Sequence, residues 1–98
     1  MIAQPKPVDL TAACEKVIVL AKQLNWKEVA VYTEKLCEFY PDSTVLVGNR
    51  MNALFHLGQI FEAANLGILF LQRNPEAIKI TRNTLAVFPK LHRVEEDW

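Results

Sequence analysis

The chain has 98 residues, 51% of them hydrophobic, and its 11 basic and 11 acidic side chains cancel to a formal net charge of zero at pH 7. That length fits one domain, and the charge balance excludes the long-range pull on polyanions that nucleic-acid and membrane-surface proteins use. A body this small buries only about two-thirds of the surface its unfolded chain exposes, so this much apolar material points to a second protein as cover for part of it.

Pro5 and Pro7 keep residues 1–8 out of a helix, and the segment lacks the basic-then-apolar order of a signal peptide, so it reads as an arm. From there Leu10, Ala13, Cys14, Val17, Ile18 and Ala21 recur at helical spacing, with Asp9 or Thr11 as N-cap. A break at Leu24-Asn25-Trp26 precedes a second helix from Lys27 to about Phe39. Pro41 removes a backbone donor and pushes Tyr40 out of the helical region, so 40–43 is a turn. Asp42 or Ser43 then caps a third helix, from Thr44 to Leu57, and Gly58 supplies the left-handed residue that helix ends favour. A fourth helix runs from Ile60 to Arg73, and Glu76 opens a fifth that Pro89 ends.

No segment alternates as a strand, so the chain is expected to be all-α, with about five antiparallel helices. A single domain over 9–89 lies between the arm and a tail, 90–98, that is basic, then acidic, then aromatic. The densest apolar stretch, Ile60 to Leu71, is broken by Glu62, Asn65 and Gly67, and no run approaches the ~20 apolar residues that span a bilayer. Cys14 and Cys37 both fall within helical patterns, so they read as free thiols in a reducing, cytoplasmic setting.

An internal repeat organises these helices. Pro41 and Pro75 are 34 residues apart, and the same shift lays Leu20 over Leu54, Glu28 over Glu62, Val29 over Ala63, Ala30 over Ala64 and Leu36 over Phe70. This is the tetratricopeptide (TPR) period, and Leu57-Gly58-Gln59-Ile60-Phe61-Glu62-Ala63-Ala64 with the closing Pro75 resembles that family's inter-helix turn and repeat end. The resemblance implies repeats at 10–43 and 44–77 and a C-terminal helix that starts a third repeat without its second helix. The family's small residue at position 8 is Val17 and Met51 here, its Trp at position 4 is Ala13 and Val47, and its Leu at position 7 is Lys16 and Arg50. Larger residues at close-packing positions imply altered crossing angles.

In TPR proteins the first helix of each pair lines a concave groove. Carried over, the protein-binding residues are Cys14, Ile18, Ala21, Val45, Asn49, Asn52, Phe55 and His56, with Lys79, Arg82, Asn83 and Ala86 on the last helix. Only Asn49 and Lys79 match the family's carboxylate-clamping positions, which argues against a receptor for chaperone tails. The mixture of apolar residues and amides suits the apolar face of an amphipathic helix. For Ile18, Val45 and Phe55 the alternative is plain bundle core. From Ser43 to Pro75 only Arg50, Glu62 and Arg73 are charged, and the fourth helix is apolar all round. Phe61, Ile68 and Leu69 therefore mark a possible second partner face. Alternatively the fifth helix and tail complete the coat through Leu85, Phe88, Leu91 and Trp98.

Catalytic and cofactor chemistry is not expected. His56 and His92 have no metal-ligand spacing, the three glycines form no phosphate loop, and Glu28 and Glu62 are repeat-related residues at helix starts. A groove-bearing TPR-like chain of this size resembles the small chaperones that hold the needle subunit of type III secretion before export. That resemblance implies a client with an amphipathic helix and a small helical co-chaperone. The alternative is a TPR-like adaptor or a self-associating scaffold, with a homo-oligomer when no partner is present.

Overall fold

The computed structural model describes residues 9–85, and the readings of the arm, of Ala86 and Pro89, and of the tail through Trp98 lie outside them. The described chain is all-α. Helices α1 (Leu10–Lys22), α2 (Trp26–Phe39), α3 (Thr44–His56) and α4 (Ile60–Arg73) are followed by α5, which begins at residue 78 and continues to 85. Asp9 caps α1, its carboxylate accepting from the N–H groups of Thr11 and Ala12 at 3.2 and 3.4 Å. Ser43 caps α3, its hydroxyl accepting from the Leu46 N–H at 3.3 Å.

The 34-residue repeat is present in the backbone itself. After α1, the Leu24 and Asn25 N–H groups donate to the Ala21 and Leu20 carbonyls, and after α3 the Gly58 and Gln59 N–H groups donate to Phe55 and Leu54. Each pair of bonds is a Schellman closure, which requires a left-handed residue at its first donor. Leu24, at φ +57°, and Gly58, at φ +84°, fill that position. The ends of α2 and α4 match as well: Tyr40 donates to the Leu36 carbonyl and Asn74 to that of Phe70, both at 2.8 Å. Ser43 then donates to the Tyr40 carbonyl, and Ala77 to that of Asn74, both at 3.1 Å.

That last equivalence corrects the start of α5. The sequence places Glu76 in the helix, whereas Pro75 and Glu76 repeat the turn of Pro41 and Asp42. Ala77 therefore holds the cap position that Ser43 holds for α3. Its methyl group offers no acceptor to the first turn, so the cap is empty of side-chain help.

Packing follows from which stripe of each helix is small or apolar. Ala13 and Val17 of α1, Val29 and Leu36 of α2, and Leu46 and Ala53 of α3 form one core cluster. Val47 and Met51 of α3, Phe70 of α4 and Ile80 of α5 form the next. Leu54 meets Ala63 and Ala64 at the α3–α4 end of the molecule. Gly67 lets α4 approach closely, because a Cβ there would run into the Thr84 hydroxyl and lie 2.6 Å from the Met51 methyl.

The two basic residues at the family's Leu position have polar work. Arg50 enters between α2 and α3, its guanidinium donating to the Ala30 carbonyl at 2.7 Å and to the Thr33 hydroxyl at 3.4 Å. Thr33 is fully buried and donates in turn to the Val29 carbonyl at 2.7 Å. Lys16 sits 4.4 Å from the centre of the Tyr32 ring, a cation–π contact between α1 and α2.

Candidate functional site

Alternate helices α1, α3 and α5 bound an open groove of about 380 Å³. Its walls are Ile18 from α1, Thr44, Val45, Gly48, Asn49 and Asn52 from α3, and Lys79, Arg82 and Asn83 from α5. On α3 these residues recur at three- and four-residue steps, so a single helical face supplies the floor. Ile80, fully buried against Val47 and Met51, fixes how α5 rotates toward the groove. Once it points inward, Lys79, Arg82 and Asn83 fall along the rim.

The groove has two chemical sides. Ile18 and Val45 form an apolar wall, while α5 brings two cations and, among the described residues, no carboxylate lines the cavity. Asn49 spends one amide hydrogen on the Val45 carbonyl at 2.8 Å, which leaves its oxygen as an acceptor. Asn83 donates to the Gly48 carbonyl at 3.5 Å. Among the described residues, Asn52, Lys79 and Arg82 make no hydrogen bond or ion pair. Gly48 keeps the floor low without being sterically obligatory, since an added Cβ would lie 3.5 Å from Asn83 Nδ2.

The residues assigned to a groove from sequence divide in two. Ile18, Val45, Asn49 and Asn52 share this cavity, and Cys14, Ala21, Phe55 and His56 are not among the residues that line it. Cys14 and Ala21 are half-buried against the first core cluster, with the Cys14 sulfur 4.0 Å from the Ser43 hydroxyl. Phe55 packs on the Leu54–Ala63–Ala64 cluster, the core alternative for that residue. His56 lies flat on Trp26 at the start of α2, with ring centres 4.5 Å apart and planes 2° from parallel, and meets Phe55 edge-on. Stacking on Trp26 and the edge contact with Phe55 account for the place of the His56 ring outside the groove. No periodicity in the sequence announces a Trp26–His56 pair.

On the other side of the molecule, Phe61, Ile68 and Leu69 of α4 are exposed among the described residues, at 63%, 40% and 51% of their full surface. Ile68, Leu71, Thr81, Thr84 and Leu85 border a shallow, almost wholly apolar cleft of about 340 Å³ between α4 and α5.

Among the described residues, no group of three or more potential metal ligands gathers, and no helix is long and apolar enough to cross a membrane. Burial pushes the Cys37 thiol up from 9.0 to about 11 against the opposing influence of Arg50, so it stays protonated and unreactive at neutral pH. Comparison of the chain with protein-family models, with curated proteins and with solved structures finds no match.

Proposed function

We propose that the chain is a TPR-like protein-binding module whose groove holds an amphipathic helix of a client, as a dedicated chaperone does. The observation that carries this reading is the two-sided groove between α1, α3 and α5, with an apolar wall at Ile18 and Val45 facing a cationic rim at Lys79 and Arg82. An amphipathic helix laid along such a groove is the ligand this lining suits. Its apolar stripe covers Ile18 and Val45. Carboxylates along one edge of that stripe meet Lys79 and Arg82, while Asn49 and Asn52 supply hydrogen bonds along the floor.

Occlusion is the mechanism. A subunit that self-assembles through an amphipathic helix stays monomeric while that helix is held. The small secretion chaperones that the sequence resembles act on clients of this class, and a type III secretion needle subunit is the client proposed here. The proposed module works in the cytoplasm by binding alone, with no catalytic step and no cofactor.

Two synthetic amphipathic helical peptides test the reading, one with glutamates flanking its apolar face and one with lysines in their place. Calorimetry with the full chain should show binding of the glutamate peptide and much weaker binding of the lysine peptide. Replacing Lys79 and Arg82 together with Glu should reverse that preference, and Val45→Asp should abolish both interactions with helicity retained. Binding that ignores Val45→Asp, or no binding of either peptide, would overturn the proposal. A needle-type subunit should likewise fail to polymerise in the presence of one equivalent of the chain and polymerise normally beside Val45→Asp.

A further inference from the structure

The outer face of α4 differs from the outer face of α2 at four repeat positions, while Val31 and Phe39 of α2 give way to Asn65 and Arg73. At the exposed α2 positions Lys27, Glu34, Lys35 and Glu38, the 34-residue shift places Phe61, Ile68, Leu69 and Gln72, all exposed as well. The fold does not need that change, since α2 shows that charged residues are tolerated at the same repeat positions. On α4 the exposed apolar residues Phe61, Ile68 and Leu69 form a surface of the kind that a partner covers, whereas α2 exposes Val31 and Phe39 at other positions of the repeat.

Its flanking charges identify the cover. Phe61, Asn65, Ile68 and Gln72 lie along one line of α4 at helical spacing. Glu62, Leu69 and Arg73 lie along one side of that line, while Ala64 and Gly67 on the other side are buried within the molecule. The only charges on the stripe are thus an acid near its start and a base near its end, both on the same flank. In a parallel pair of helices the same flank of each chain faces outward on opposite sides, so Glu62 and Arg73 do not meet. In an antiparallel pair the equivalent flanks face each other, and each Glu62 comes opposite an Arg73. A two-fold axis near the middle of α4 satisfies both contacts at once, as an isologous interface requires.

We infer that the chain forms a symmetric homodimer through antiparallel pairing of α4 with α4 of a second copy, with Phe61 and Ile68 in the seam and Glu62 paired to Arg73 across it. Arg73 remains capable of that contact. Its Nη2 donates to the Pro41 carbonyl at 2.9 Å and lies 3.4 Å from the solvent-exposed Asp42 carboxylate, so one nitrogen of a five-donor group serves both and the others are left for Glu62 of the second copy. The surface is separate from the groove, which no α4 residue lines, so a dimer of this form leaves two helix-binding sites open.

Sedimentation equilibrium of the full chain over a concentration series tests the inference. The wild type should behave as a monomer–dimer system. Glu62→Arg and Arg73→Glu should each weaken the dimer by about tenfold, since each interface contains the contact twice. The combined reversal of both residues should restore it. Phe61→Glu, at an exposed position that the fold does not use, should give a monomer with unchanged helical circular dichroism. A wild type that stays monomeric throughout, as when the tail covers the stripe instead, would overturn the inference. So would a dimer indifferent to Phe61→Glu, or one that the combined reversal fails to restore.

Discussion

Leu24 and Gly58, 34 residues apart, take the same left-handed backbone conformation in the turns after α1 and α3. Glycine reaches that conformation freely, whereas a residue with a Cβ is strained there by about 1–2 kcal/mol. Leu24 is also 70% exposed, so its side chain returns little burial energy for the strain. Leu24→Gly should stabilise the fold by roughly 0.5–1 kcal/mol, after allowing for glycine's greater freedom in the unfolded chain. Thermal unfolding should show a midpoint several degrees higher. Gly58→Leu should lower the midpoint by a similar amount, and a Leu24→Gly variant no more stable than wild type would contradict this account of the turn.

The helix caps make a second matched pair. Ser43 supplies a hydroxyl to the first turn of α3, and Ala77, at the equivalent place before α5, supplies none. Ser43→Ala should cost about 1 kcal/mol, and Ala77→Ser should gain a comparable amount. Ala77 is only half-buried against the Val47–Met51–Phe70–Ile80 cluster, so one added hydroxyl fits at its edge. Hydrogen exchange of the α5 amides should slow in Ala77→Ser, a local readout that a general change in stability would not produce.

Much of this architecture is legible in the sequence because it is punctuated. Pro41, Pro75 and Gly58 leave no continuous helix to consider, and the period then fixes which face of each helix turns inward. Leu24 is not legible as a left-handed residue, since nothing in its side chain signals one and only its equivalence to Gly58 marks the position. The sequence puts the start of α5 two residues early, because Glu76 suits a helix N-terminus as readily as it suits a turn. In the groove, Ile18, Val45, Asn49 and Asn52 follow from the face of the repeat. Phe55 and His56 do not, since they are held by Ala63 and Trp26, partners across turns to which periodicity is blind. Zero net charge also conceals how the charges are distributed. Lys79 and Arg82 lie together on the groove, and among the described residues no acid lines it beside them, so binding there should weaken as salt rises.

Cys37 reports on the α2–α3 contact through its thiol. Its pKa is raised to about 11, chiefly by burial, while Arg50 pulls it the other way. Between pH 9 and 11 the unfolded chain loses this proton and the folded chain keeps it, so the unfolded state binds fewer protons and stability falls as pH rises. Below pH 9 the contribution is fully present. Denaturant midpoints measured across pH 8–11 should therefore drop more steeply for wild type than for Cys37→Ala. Alkylation of Cys37 at neutral pH should be slow in the native protein and rapid once it is unfolded. Equal pH slopes for the two proteins would show that the thiol is not held in the way described.

Gly67 connects the core to the groove without touching it. A Cβ at this position would collide with the Thr84 hydroxyl of α5 and with the Met51 side chain of α3. Met51 can swing its flexible end aside, whereas Thr84 is held by its own bond to the Ile80 carbonyl at 2.7 Å. Turning the hydroxyl away forfeits that bond, so part of the relief should come from α5 moving away from α4, which carries Lys79, Arg82 and Asn83 with it. Gly67→Ala gains about 1 kcal/mol of helix propensity and loses about 1–3 kcal/mol to overpacking, so the net effect should be destabilising. Helix binding should weaken more than stability alone accounts for, because the cationic rim shifts relative to Ile18 and Val45. Thr84→Ala in the Gly67→Ala background should recover much of the binding by removing the obstructing hydroxyl. If Gly67→Ala instead binds the glutamate-flanked peptide as wild type does, the position of α5 is not what sets the groove.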